Sequence, residues 1–135
     1  MIVGVFILGG KMTNILCLMV GSMAGGLSRY YFGSLVQRLS GSTFPCGTLA
    51  VNLTGCLIVG FIASMAADRF PIGASARILL ISGFCGAFTT FSAFMVESDF
   101  LLRNNHIWAA ALNILFSLVG GFVLFRLGIF LGKLL

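Results

Sequence analysis

Four long runs without a charged side chain constrain what this chain can fold into. Seventeen uncharged residues lie between Lys11 and Arg29, 29 between Arg38 and Asp68, 19 between Arg77 and Glu97, and 19 from Ile107 to Phe125. A helix of roughly 20 apolar residues crosses the hydrocarbon core of a bilayer. Lipid offers no hydrogen bonds to the backbone, so an isolated spanning segment must be helical. Alternation of the strand type is absent. The sequence therefore predicts an all-α integral membrane protein with four transmembrane helices, at about 13–37, 46–67, 75–102 and 107–133. Only 8% of the residues are charged and 59% are hydrophobic, whereas soluble domains carry about 25% charged residues.

The four spans leave no room for a soluble domain. Residues 1–11 read as an N-terminal extension, without the early positive charge or small-residue cleavage site of a signal peptide, and residues 12–135 as one membrane domain. The net charge of +5 comes from singly scattered basic residues, which suit membrane flanks better than nucleic acid. Cys17, Cys46, Cys56 and Cys85 form no CxxC pair and have no neighbouring His. They read as small buried hydrophobes.

With four spans, Lys11, Arg69, Arg77 and Lys133 fall on one side of the membrane and Arg38 and Arg103 on the other. Orientation follows the excess of Lys and Arg on one side, and this excess is small. Such a chain is free to insert both ways and build an antiparallel homodimer. A polar path is also easier to build between subunits than within four tightly packed helices. Gly21 with Gly25, and Gly128 with Gly132, are spaced for close helix approach, either between subunits or within one.

Polar groups inside the membrane are costly and mark function or pairing. Arg29, in the first span, is either a snorkelling Arg or an anion-attracting group in a vestibule. Thr48 and Asn52 share one helix face, as pathway donors or as interhelical hydrogen-bonding groups. The stretch GFCGAFTTFSAF, residues 83–94, sets Gly86, Thr89, Thr90 and Ser92 among four Phe. Gly and β-branched residues weaken a helix. The third helix is therefore expected to break mid-membrane, where freed carbonyls suit a hard cation such as sodium. Phe91 and Phe94, three apart, either pack or turn their electropositive ring edges toward a small anion. Glu97 continues a polar track from the Phe pair, or it marks the helix end or pairs with Arg103. Asn113, Ser117 and Gly121 form an i, i+4, i+8 ladder on the fourth helix, as donors or as a packing stripe. His106 reads as interfacial. No nucleophile, general acid or phosphate loop stands out, so the chain reads as a non-enzyme that moves a small ion passively.

GGLSRYYFG in span one, PCGTLAVNLTG in span two and GFCGAFTTFSAFMVES in span three resemble the Fluc (CrcB) fluoride channels of bacteria, and ALNILFSLVGGF in span four does so more loosely. The resemblance implies a fluoride-specific channel of the bacterial cell membrane that exports toxic fluoride passively. It implies a dual-topology antiparallel homodimer with two pores. A structural sodium ion is then expected at the dimer interface on the backbone carbonyls of Gly86 and Thr89. Phe91, Phe94 and Asn52 are expected to line the pore, Thr48, Glu97 and Ser117 to form its track, and Asn113 to stand where some members carry Tyr. The rival reading is a dual-topology small multidrug transporter. That design places an essential Glu in its first helix, where this chain has Arg29 and no carboxylate.

Overall fold

The computed structural model describes residues 2–68 and 73–134, with side chains for 10–66 and 73–134. Arg69, part of the charge count above, lies outside the described residues.

The described residues are helical or in short connections, and they form four rods. The first is α1 (Ile2–Ser40) and the second α2 (Cys46–Asp68). The third holds α3 (Ala74–Arg77), a π-helical stretch (Ile78–Cys85), α4 (Gly86–Phe88) and, after two extended residues, α5 (Phe91–Arg103). The fourth runs through α6 (Ile107–Leu115), a second π-helical stretch (Phe116–Gly120) and α7 (Gly121–Leu134). By length and composition, the segments Cys46–Ala66, Ala74–Arg103 and Ile107–Leu134 can each cross a membrane. The first rod has ample length at 39 residues, but Lys11, Asn14, Arg29, Gln37 and Arg38 make it less apolar. It also starts earlier than the expected residue 13, because the apolar run before Lys11 contains no Pro to stop a helix.

Lipid tails are as apolar as leucine, so helices in a membrane associate through close packing at small residues. That rule accounts for both Gly pairs, and both act within the subunit. A Cβ at Gly21 would collide with the carbonyl oxygen of Leu79, and one at Gly25 with that of Phe84, which presses α1 against the third rod. A Cβ at Gly128 would meet the Leu57 carbonyl, and one at Gly132 would lie 2.9 Å from that of Phe61, which joins α7 to α2. The outward surface is rich in large apolar side chains, including Met23, Phe122 and Trp108.

The corner between α1 and α2 is held by the side chains of Gln37, Ser40 and Ser42. Gln37 donates from Nε2 to the carbonyls of Ser42 (2.7 Å) and Phe44 (3.0 Å), and its Oε1 accepts from the N–H of Gly47 (3.0 Å). The turn between α5 and α6 places Asn105 at φ 60°, a left-handed conformation that Asn tolerates.

Candidate functional site

The site is built around the interruption of the third rod. Thr89 (φ −78°, ψ 155°) and Thr90 (φ −147°, ψ 109°) are extended between α4 and α5. Two adjacent β-branched residues favour that geometry. Thr90 is also the N-cap of α5, its Oγ1 accepting from the N–H of Ala93 at 3.3 Å, as Thr does at helix starts. Gly86 is itself helical (φ −63°, ψ −35°).

Asn52, from α2, grips the interruption. Its Nδ2 donates to the Thr90 carbonyl at 3.0 Å, and its Oδ1 accepts the Thr90 N–H at 2.7 Å. The side-chain amide pairs with both backbone groups of Thr90 as a neighbouring strand would, and one N–H of Nδ2 remains. Gly55, a turn further along α2, allows this approach: a Cβ there would collide with Thr89 Cγ2.

In an unbroken α-helix each N–H bonds to the carbonyl four residues back. The Thr90 N–H would then serve Gly86, and the Ala93 N–H would serve Thr89. Both donors are diverted, to Asn52 and to Thr90 Oγ1. The carbonyls of Gly86 and Thr89 lose those partners, and both residues line one cleft.

That cleft has a volume of about 360 Å³ and is also lined by Asn52, Phe91, Phe94 and Ser117. The rings of Phe91 and Phe94 stand 5.5 Å apart at 53°. Phe94 is 4% exposed and Phe91 68%, so one ring is fixed in the core while the other stands open beside it. The hydroxyl of Ser117 is buried with no hydrogen-bond partner among the described residues.

A second, wider cleft of about 730 Å³ is lined by Arg29, Arg38, Thr48, Thr90 and Glu97. Thr48 donates to Glu97 Oε1 at 2.6 Å, and Glu97 Oε2 is buried without a partner among the described residues. Glu97 does not pair with Arg103, which instead bonds Asp99 at 2.6 Å on the exposed face of α5. Thr90 lines both clefts.

The site residues expected from the sequence thus fall into two groups that meet at Thr90. Asn113 joins neither. It is 1% exposed and donates to Ser98 Oγ at 3.0 Å, and Ser98 donates in turn to the Phe94 carbonyl at 2.8 Å. Gly121, the last rung of the expected ladder, packs on α2, where a Cβ would lie 3.3 Å from Cys56 Sγ. Sequence reasoning missed Ser98 and Gly55 and gave Thr90 only a helix-weakening role. Thr-Thr followed by a helical run was an available N-cap signal.

The sequence model of the family described as CrcB-like protein, Camphor Resistance (CrcB), matches residues 16–129. This chain belongs to the CrcB family. Its relatives include a protein named Fluoride-specific ion channel FluC from Chlorobium chlorochromatii, 42% identical over 119 residues, covering 88% of this chain and 92% of the relative. Fluoride-specific ion channel FluC 1 of Moorella thermoacetica is 42% identical over 88% of this chain and 85% of its own length. The FluC protein of Chlorobaculum tepidum is 41% identical over 91% of this chain and 97% of its own. CrcB relatives bear the names of ion channels and not of enzymes. With three rods apolar enough to span a bilayer, this CrcB chain is a membrane protein.

Proposed function

We propose that this chain is a fluoride channel that lets fluoride leave a bacterium passively across the cell membrane and so limits fluoride toxicity. The narrow cleft carries the reading. There the Phe91 and Phe94 rings, the unpartnered Ser117 hydroxyl and the remaining Asn52 N–H converge, in a chain whose relatives are named fluoride-specific ion channels.

Fluoride is small and holds its water tightly. A path for it must replace that water stepwise with donors that bind weakly enough to release. The Arg29 and Arg38 guanidinium groups draw anions into the wide cleft. Past them, Thr48, Glu97 and Thr90 form a polar wall. Beyond Thr90, hydroxyl, amide and ring-edge donors take over, and aromatic edges are weakly electropositive. Neutral donors predominate among the groups of the narrow cleft, which suits passive flow down a gradient better than proton-coupled transport.

A second copy of the chain, inserted in the opposite orientation, completes the pathway. Phe91 and Gly86 are exposed on the rim of the narrow cleft, and a pore wall needs a cover there. The even spread of Lys and Arg about the spans supports insertion both ways. The carbonyls of Gly86 and Thr89, freed from the helix ladder, fit a hard monovalent cation, since sodium takes oxygen ligands and broken membrane helices supply them. These carbonyls, with those of a second copy, would hold the ion, whose positive charge would offset their converging dipoles. The multidrug-transporter alternative lacks support, because α1 contains no carboxylate.

The deciding experiment is efflux from liposomes loaded with potassium fluoride or potassium chloride, with a potassium ionophore added so that potassium leaves with the anion and charge balances. Fluoride release well above that of protein-free vesicles, with chloride retained and no proton gradient applied, is expected. Fluoride release no faster than from empty vesicles would overturn the channel reading. Labelling of each terminus from both membrane faces in cells is expected for dual insertion, and labelling from one face alone would exclude it.

A further inference from the structure

We infer that Asn52 and the Thr90 hydroxyl are positioning residues for the cation carbonyls: together they divert the two N–H groups that would otherwise close over the carbonyls of Gly86 and Thr89. The inference rests on the cation reading above and assigns to Asn52 a role beyond lining the pathway.

Each bond in the arrangement has one geometric consequence. Asn52 Oδ1 takes the Thr90 N–H at 2.7 Å, which removes the donor that an α-helix would aim at Gly86. Asn52 Nδ2 holds the Thr90 carbonyl at 3.0 Å, which fixes the plane of the peptide that follows it. Thr90 Oγ1 takes the Ala93 N–H at 3.3 Å, which removes the donor that would serve Thr89. Thr89 contributes its own restraint, as its N–H and its Oγ1 both bond the Cys85 carbonyl at 3.0 Å. A carbonyl oxygen with no N–H in front of it, held at a fixed angle, is a ligand for a hard cation. Without the two diversions, α4 and α5 would join in a single ladder and both oxygens would be occupied.

Asn52 lines the narrow cleft beside Phe91 and Phe94 as well. One side chain therefore bounds the anion path and sets the geometry of the carbonyl pair. A residue that only donates to a passing anion leaves cation affinity unchanged on substitution, whereas a positioning residue alters it.

The test uses the full-length protein in detergent. Bound sodium is measured by elemental analysis after exchange into choline chloride, and the melting temperature is followed across a sodium chloride titration. The wild type is expected to retain sodium through the exchange or to gain melting temperature as sodium is added. Asn52→Ala and Thr90→Val are expected to retain less sodium, or to need at least about tenfold more of it for half the stabilisation, equivalent to roughly 1.4 kcal/mol. Thr90→Ser keeps the hydroxyl cap and is expected to behave as wild type, which separates a lost cap from misfolding. Unchanged sodium retention and titration midpoints in Asn52→Ala and Thr90→Val would overturn the positioning role while leaving the cation reading intact. A wild type that neither retains sodium nor responds to it would overturn the cation reading, and this inference with it.

Discussion

Thr48 and Glu97, 49 residues apart in sequence, meet through a 2.6 Å hydrogen bond from the Thr hydroxyl to one carboxyl oxygen. The bond ties α2 to α5 on the wall of the wide cleft. Thr48→Val keeps the side-chain shape and removes the donor. Leaving a part-buried carboxyl oxygen unpaired costs about 1–3 kcal/mol. A lower melting temperature and reduced fluoride efflux are therefore expected, with Thr48→Ser restoring both. Melting and efflux measured side by side check this, and a Thr48→Val protein equal to the parent in both would remove the pair from the pathway.

Ser117 presents the opposite case. Its hydroxyl is buried with no partner among the described residues, so Ser117→Ala removes a polar group that gains nothing within the subunit. Such a change is close to neutral or stabilising, within about 1 kcal/mol. Fluoride efflux is nonetheless expected to fall, because a donor has left the narrow cleft. A loss of both stability and flux in Ser117→Ala would point to packing instead.

The two rings of the narrow cleft should separate by burial. Phe91→Ile, at a side chain 68% exposed, is expected to leave the subunit stable, whereas Phe94→Ile, at 4% exposure, is expected to cost about 1–3 kcal/mol through altered core shape. Both are expected to slow fluoride release while leaving the proposed dimer intact. Efflux assays with size-exclusion chromatography distinguish these outcomes, and normal flux in both variants would leave the rings with packing alone.

Gly86 and Gly128 test whether a second copy approaches as proposed. A Cβ at Gly128 meets the Leu57 carbonyl within the subunit, whereas one at Gly86 has only the Ile81 oxygen at 3.8 Å. Gly128→Ala is therefore expected to destabilise the subunit itself. Gly86 has room for a methyl within its own chain, so a damaged dimer or lost efflux in Gly86→Ala would report on a neighbouring backbone. Gly86→Ala with dimer and flux intact would exclude a close approach at that point.

Much of the architecture could be read from charge spacing, since charges are costly in hydrocarbon and long uncharged runs mark the rods. The interruption of the third rod lay in a region that its Gly, Thr and Ser content marked as weak. The extended residues proved to be Thr89 and Thr90, while Gly86 stayed helical. The partner of Thr90 could not be read, because Asn52 lies 38 residues away and only tertiary packing brings it there. The Gly pairs gave a spacing but no partner, and the backbone oxygens facing them supply it. The ladder of Asn113, Ser117 and Gly121 assumed 3.6 residues per turn. The π-helical stretch Phe116–Gly120 carries wider turns: Asn113 faces α5, Ser117 faces the narrow cleft, and the backbone of Gly121 packs on α2.

Gln37 has a consequence for how the wide cleft meets water. Its three bonds fix the backbone of the corner at Ser42, Phe44 and Gly47, and Gln37, Arg38, Thr43 and Pro45 form the rim there. A corner pinned at three backbone points holds the aperture at one width and lends it no hinge of its own. In the proposed channel, traffic of an ion entering between Arg29 and Glu97 would then be set by its electrochemical difference across the membrane. Such a mouth would behave as a leak and not as a shutter.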